Sequence, residues 1–166
     1  MIYYCLLLVF VYSLSRYYDL SMLAMSKDSP WWTTFTFPIL HTGLYHLACN
    51  CFVLLSFWSI TKHRKQASAI VLIVMFLSYL CADDIPTAGS SGIATALIGI
   101  TLADLLLNGY YGTFAKLGAI VLAVISIQAA FGAGLVNSQL HILSLFVAML
   151  CRTIWMSYVQ IKKESR

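Results

Sequence analysis

The stretch Gly89-Ser90-Ser91-Gly92 opens an apolar run that continues to Leu107. A short polar loop, residues 83–90, leads through this stretch into a hydrophobic helix. Glycines on both sides give the backbone freedom and leave room for other atoms beside Ser91, and a helix N-terminus favours developing negative charge. The pattern is typical of an exposed nucleophile, although small residues also line membrane helices simply to pack them.

The composition around this stretch is that of an integral membrane protein. Of the 166 residues, 61% are hydrophobic and 10% are charged, and the mean hydropathy is +0.85. A soluble domain of this size needs more polar surface. Because a membrane span needs about 20 apolar residues, the chain has room for about six spans. We therefore expect residues 1–166 to form a single membrane domain without a separate soluble part.

The apolar segments predict an all-α membrane protein, a bundle of six transmembrane helices. The first segment lacks the basic region that starts a signal peptide, so it is interpreted as a retained helix. The predicted spans are residues 2–20, 40–60, 67–81, 91–107, 117–131 and 139–158.

The charges predict the orientation of this bundle. Basic residues follow the second span at Lys62-His63-Arg64-Lys65 and the sixth span from Lys162 onward, and Lys116 follows the fourth. The positive-inside rule places these ends, and both termini, in the cytoplasm. The net charge of +4 is small and lies at loop ends, so no nucleic-acid partner is expected. The loops at 21–37, 82–90 and 132–138 are predicted on the other side.

The cysteines give no indication of a metal site or of a disulfide framework. All five lie in or beside apolar runs, which indicates buried thiols. The Cys49-Asn50-Cys51 spacing fits neither a redox nor a zinc motif, and no metal is expected. The five are Cys5, Cys49, Cys51, Cys81 and Cys151.

Three polar stretches are predicted to meet at one depth. Ser91 begins the fourth span, His141 lies near the start of the sixth, and His46 and Asn50 lie in the same half of the second. His46 and Asn50 are four residues apart and therefore share a helix face. Ionisable groups inside a membrane are costly and usually face a protein interior or a water-filled cavity. Each histidine alone could simply hydrogen-bond a neighbouring helix.

These residue types suit acyl transfer. A serine hydroxyl is a weak nucleophile until a base takes its proton, and His141, with a reference pKa near 6.5, could do so for Ser91. The oxyanion that forms needs fixed donors, which His46, Asn50 and the Ser91 N–H could supply. No acidic residue is predicted at this depth unless the loop with residues 83 and 84 folds inward. We therefore predict a Ser-His dyad.

A second polar pair is predicted at the other end of the fourth span. Asp104 lies 13 residues after Ser91, about 20 Å away along a helix, which is too far for catalysis. Arg152 lies 11 residues after His141, at nearly the same depth. We predict that Asp104 contacts Arg152 near the cytoplasmic face.

The motifs resemble those of the rhomboid intramembrane serine proteases. The run from His41 through His46 to Asn50 looks like the second-span motif of that family, and Gly89-Ser90-Ser91-Gly92 looks like its Gly-x-Ser-Gly motif. His141 looks like the catalytic histidine of the sixth span. The order and spacing of the three within a six-span core make the resemblance specific.

The resemblance implies an activity and its residues. Ser91 would be the nucleophile, His141 the general base and acid, and His46 with Asn50 part of the oxyanion hole. The reaction would be hydrolysis of a peptide bond in or near a transmembrane segment of another membrane protein, with the lipid bilayer as the medium. No organic cofactor is implied, and family habit suggests a bacterial plasma (inner) membrane. The sequence does not specify an oligomeric state.

The chain departs from the family pattern at several positions. Ser144 and Ala148 stand where the sixth span often has glycines; both are small, so a close approach to the fourth span is still expected. Leu140 replaces a small residue that commonly precedes the histidine. Thr95 stands where some members have an aromatic ring against the histidine. His41 is expected to be structural or to line the water cavity.

Two other functions remain open at this point. The first is an inactive rhomboid-like protein that binds membrane clients without cleaving them. The second is a small transporter or channel that uses the polar cluster as a solute path, which no internal repeat supports.

Overall fold

The structure is a computed structural model that describes residues 1–84, 86–107 and 138–165. Within these ranges the regular secondary structure is helical, apart from one isolated antiparallel bridge. The predicted fifth span, residues 117–131, and the loop glycines Gly132 and Gly134 lie outside the described residues. The α-helices are α1 (Ile2–Ser15), α2 (Thr33–Thr36), α3 (Leu44–Ile60), α4 (Arg64–Leu80), α5 (Ser91–Leu107) and α6 (Ser138–Glu164), and short 3-10 turns cover Ser21–Leu23 and Phe37–Ile39.

Helix α5 is the centre of the bundle. It contacts α3, α4 and α6, most extensively α6. Nearly every residue from Ile93 to Leu105 is buried. Apolar residues lie on all sides of α5, which suits a helix enclosed by its neighbours.

The crossing of α5 and α6 is close because small residues face each other. A side chain at Gly99 would collide with the carbonyl oxygen of Leu145, and its Cβ would lie 3.3 Å from that of Ala148. Near the start of α5, a Cβ at Gly92 would lie 3.5 Å from Ser144 Oγ. Ser144 and Ala148 are both fully buried. The expectation that small residues at these two positions preserve the close approach is confirmed.

The outward faces of the surrounding helices are apolar and exposed. Examples are Leu6 on α1, Phe52 on α3, Phe76 on α4 and Ile154 on α6, each more than half exposed. An exposed apolar surface of this extent suits a lipid surrounding.

The helix lengths support this interpretation in part. Within the described ranges, one helix, Gln139–Lys162, is long and apolar enough to cross a membrane. A second candidate is the pair Thr33–Ile39 and Leu44–Ile60, which is bent by 104°. Helix α1 ends at Ser15, short of the predicted boundary near Leu20.

The two polar loops predicted on one side of the bundle are in direct contact. Met25 and Thr87 exchange backbone hydrogen bonds, with N···O distances of 3.0 and 2.7 Å. The Lys27 N–H also donates to the Asp83 carbonyl at 2.8 Å. These bonds attach the α1–α3 connection to the segment that precedes α5.

Two tyrosines attach the same connection to the bundle. The Tyr4 hydroxyl of α1 donates to the Pro38 carbonyl at 3.3 Å, and the Tyr79 hydroxyl of α4 donates to the Ser29 carbonyl at 3.1 Å. The connection is therefore a fixed layer over one end of the bundle, and it holds the start of α5 in place.

Candidate active site

Ser91 is the first residue of α5, as the sequence predicts. The turn before it depends on Gly89, whose φ of +126° is strained for any other residue. The Gly89 N–H donates to the Phe37 carbonyl at 2.9 Å, and the Ala94 N–H closes the first helical bond to the Ser90 carbonyl at 3.0 Å. Ser90 is fully buried, whereas Ser91 is only half-buried. Ser91 is thus the accessible serine of the pair.

The ring of His46 lies directly against this turn. A Cβ placed on Gly89 would lie 2.7 Å from Cε1 of His46 and 3.2 Å from its Nε2. These separations are shorter than van der Waals contact, so only glycine allows the imidazole to approach the chain here. The glycine before the serine therefore has two roles, the turn itself and the space for His46.

His141 lies on the same side of the bundle. It is in the first turn of α6, half-buried, and close enough to His46 to interact with it electrostatically. The contact between Gly92 and Ser144, one turn beyond His141, brings the starts of α5 and α6 together. The structure thus packs the α3 histidine against the turn before Ser91 and brings the helix end that carries His141 beside the start of α5.

Asn50 is buried one turn after His46, and its amide is bonded to His41. Asn50 Nδ2 lies 3.0 Å from His41 Nε2. His41 Nε2 also lies 3.2 Å from Ser90 Oγ and 3.5 Å from the Ser90 backbone nitrogen. Sequence reasoning missed these bonds because His41 precedes α3 and no helical spacing relates it to Asn50. The bend between the two helical segments makes the contact possible.

The residues that depart from the family pattern have local partners. The Thr95 hydroxyl donates to the carbonyls of Ser91 and Gly92, at 3.0 and 3.1 Å, and so stays within α5. Leu140 is buried with Met25 and Phe37 under the α1–α3 connection. Its side chain fixes the start of α6 by packing.

The Asp84 carboxylate, in the acidic loop before α5, does not point into the bundle. Asp84 pairs with Lys27 at 3.0 Å, and the two side chains are 77% and 59% exposed. This carboxylate therefore faces solvent and a surface lysine. Within the described ranges, no group of three or more potential metal ligands is found.

The predicted contact at the opposite end of α5 is confirmed. Arg152 Nε donates to Asp104 Oδ1 at 2.8 Å, and the arginine side chain is 4% exposed. Arg152 also donates to the side-chain oxygen of Gln66 on α4. This third partner was not anticipated. The network joins α4, α5 and α6 about 20 Å from Ser91 along the helix axis.

Comparison with known proteins identifies the family. A family model for the Rhomboid domain matches residues 28–158, which include α2 to α5, most of α6 and every candidate site residue. No curated protein and no solved structure matches the chain. Since the match covers most of the sequence, the chain belongs to the rhomboid family, whose members are integral membrane proteins.

Proposed function

We propose that this protein is an intramembrane serine endopeptidase that cleaves other membrane proteins in or near their transmembrane segments. The observation that supports this proposal most directly is the His46 ring packed against Gly89, two residues before Ser91, beside the contact of Gly92 with Ser144 that joins the starts of α5 and α6. A serine at a helix start, a nearby histidine and further donors are the parts that acyl transfer requires.

The proposed reaction uses these groups in sequence. His141 accepts the hydroxyl proton as Ser91 Oγ attacks the carbonyl carbon of the scissile bond. The oxyanion is held by the Ser91 N–H, which as a first-turn amide has no partner within the helix, together with His46 and Asn50. The intermediate collapses, the C–N bond breaks, and His141 passes its proton to the leaving amine. Water, activated by the same imidazole, then hydrolyses the ester of Ser91.

Asn50 is suited to this role although it is bonded to His41. Its amide nitrogen has two protons, and one bond to His41 leaves the second for the oxyanion. In this scheme the Nε2 bond fixes the plane of the amide.

The substrate is proposed to be a transmembrane helix that unwinds locally. A helix hides its carbonyls in hydrogen bonds, so the scissile carbonyl must leave the helix before Ser91 can reach it. The entry is proposed beside the predicted fifth span, residues 117–131, which lies outside the described residues.

We propose that both termini are cytoplasmic and that the membrane is a bacterial plasma membrane. The basic turn between α3 and α4, residues 62–65, and the basic end of α6 support one cytoplasmic face. The backbone contact between the loops at Met25 and Thr87 supports a shared opposite face for those loops.

The test is covalent labelling of the purified protein by a fluorophosphonate, which phosphonylates activated serines. We expect labelling of the wild type and none of Ser91→Ala or His141→Ala. The matched control is Ser78→Ala, which removes a buried serine of α4 whose hydroxyl donates to the Val74 carbonyl of the same helix. This variant should label at the wild-type rate.

Two outcomes would count against the proposal. Labelling that persists in Ser91→Ala would exclude this serine as the nucleophile. A folded wild type that neither labels nor cleaves any reconstituted transmembrane substrate would be an inactive member of the family, the alternative in which clients are bound but not cut.

A further inference from the structure

His41 is a buried acceptor shared by two elements of the site. The residue is 5% exposed and lies in the bend between the 3-10 turn Phe37–Ile39 and α3. Its Nε2 is 3.0 Å from Asn50 Nδ2, 3.2 Å from Ser90 Oγ and 3.5 Å from Ser90 N. One nitrogen atom therefore connects an α3 side chain with the residue immediately before Ser91.

The chemistry of these neighbours fixes the role of the ring nitrogen. A side-chain amide nitrogen and a backbone N–H can only donate. Two groups of this kind, from Asn50 and Ser90, point at Nε2. From these neighbours we assign the acceptor role to Nε2, which makes the ring neutral with its proton on Nδ1. Nδ1 lies toward the Ile39 carbonyl but makes no hydrogen bond of normal geometry among the described residues.

The position of Nε2 sets two distances at once. If Asn50 moved along α3 or the Ser90 turn moved along α5, one of the two bonds to Nε2 would lengthen. The Asn50 amide, a proposed oxyanion donor, and the backbone of the residue before the nucleophile are thus bonded to the same atom. His46 lies next to this ring, with centroids 5.2 Å apart, and packs against Gly89.

We infer that His41 is a positioning residue: through Nε2 it holds the Asn50 amide and the Ser90 turn in the relative arrangement that oxyanion stabilisation requires. This inference rests on the proposed function, because it assigns a role within that same site. It gives His41 a task distinct from those of His46 and His141, since it acts through its bonds to Asn50 and Ser90.

The experiment compares substitutions that keep or lose an acceptor at the place of Nε2. Glutamine can put its Oε1 near that place, whereas asparagine is shorter and reaches only the place of Nδ1. Leucine fills similar space without an acceptor. The measured quantities are the maximal labelling rate and the half-saturating concentration of the fluorophosphonate, for His41→Gln, His41→Asn and His41→Leu.

We expect His41→Leu and His41→Asn to lower the maximal rate by about 10- to 100-fold, with the half-saturating concentration changed less than about 3-fold. His41→Gln should recover the rate to within about 3-fold of the wild type. In combination with Asn50→Leu, the loss caused by His41→Leu should shrink, because the two residues act through one bond.

A variant with damage elsewhere separates positioning from folding. Arg152→Gln disrupts the network at the far end of α5 and should destabilise the protein without slowing labelling of its folded fraction. If His41→Leu labels as fast as Arg152→Gln, or if His41→Gln is as slow as His41→Leu, His41 does not act through an acceptor and the inference is overturned.

The two proposals fail in different ways. Absent labelling of a folded wild type removes the proposed function and, with it, the role assigned to His41. Labelling of the wild type with no effect of an acceptor at residue 41 removes only the positioning role. Should His41→Leu not fold, the comparison of His41→Gln with His41→Asn decides the question alone.

Discussion

The two ends of α5 are both joined to neighbouring segments by buried polar side chains, but the chemistry of the two ends differs. At the serine end, defined by His41, Asn50 and Ser90, buried polar groups are neutral and share one acceptor. At the arginine end, defined by Gln66, Asp104 and Arg152, a charged pair is closed by a third side chain. Each end joins three segments of the chain, so both resemble contacts that serve only to stabilise the fold.

The difference lies in what each end leaves accessible. The arginine side chain is 4% exposed, and the carboxylate beside it is 16% exposed. At the serine end, by contrast, Ser91, His46 and His141 remain half-buried around the buried acceptor. The arginine end satisfies its charges internally, whereas the serine end fixes a backbone turn and leaves polar side chains accessible to another molecule. We therefore expect substitutions at the two ends to separate stability from activity.

The largest effect is expected at the arginine end. Arg152→Gln leaves Asp104 with an uncompensated charge, and breaking a buried pair in this way costs about 3–5 kcal/mol. Unfolding of the protein in detergent should show this loss, while the folded fraction labels at a rate within about 2-fold of the wild type.

The matched control for this change is the double variant Asp104→Asn with Arg152→Gln. With no charge left to compensate, it should be more stable than Arg152→Gln alone. An equal or larger loss in the double variant would show that the pair contributes packing rather than charge compensation.

The next largest effect is expected at the serine end and on activity. Gly89→Ala places a methyl group 2.7 Å from His46 Cε1 in a backbone conformation with φ of +126°. Because the ring or the turn must move, we expect fluorophosphonate labelling to fall by about 100-fold. Gly43→Ala is the control, since a Cβ at Gly43 meets no atom within 4 Å. Equal labelling by the two variants would contradict the tight contact.

A smaller effect on stability tests the middle of α5, between the two ends. Gly99→Ala forces α6 away at Leu145, and overpacking of this kind costs about 1–3 kcal/mol. Gly92→Ala introduces the same methyl group at an ordinary 3.5 Å contact with Ser144 and should change the free energy of unfolding by less than about 1 kcal/mol. If both variants unfold alike, the helices can separate without cost and the close crossing is not a constraint.

The smallest effect is expected from the exposed ion pair. Lys27→Ala removes the partner of Asp84, and both side chains are mostly in solvent. Exposed pairs contribute about 0–1 kcal/mol, and salt weakens them further. Unfolding at low and high salt should therefore barely distinguish Lys27→Ala from the wild type. A loss comparable with that of Arg152→Gln would show that the loop pair is as important as the buried one.

Regular helices explain what the sequence predicted well. Helix α5 has the predicted bounds, from Ser91 to Leu107. The contact of Asp104 with Arg152 followed from counting residues along two helices that start at the same level, because the rise per residue is constant.

Irregular segments explain what the sequence did not predict. The bonds of His41 depend on a bend of 104°, and the contact of His46 with Gly89 depends on one backbone angle. Neither quantity has a periodic signal. The α1–α3 connection was predicted only as a polar loop, yet it contains α2 and covers the starts of α5 and α6. Gln66 lies in the first turn of α4, where counting from Ser91 gives no guidance.

The pairing of Arg152 with Asp104 has a consequence for how the chain is made. Asp104 is synthesised 48 residues before its partner, so the nascent protein holds an unpaired carboxylate until α6 follows. An acidic group at the centre of a lone membrane helix costs about 2.5–3.5 kcal/mol, and less near its end. Chains that stop before α6 should therefore be cleared faster in a pulse-chase experiment, and Asp104→Asn should slow that loss. Synthesis of the last helix therefore decides whether the bundle is stable, since the Asp104 carboxylate gains its cationic partner only when the chain has been made through Arg152.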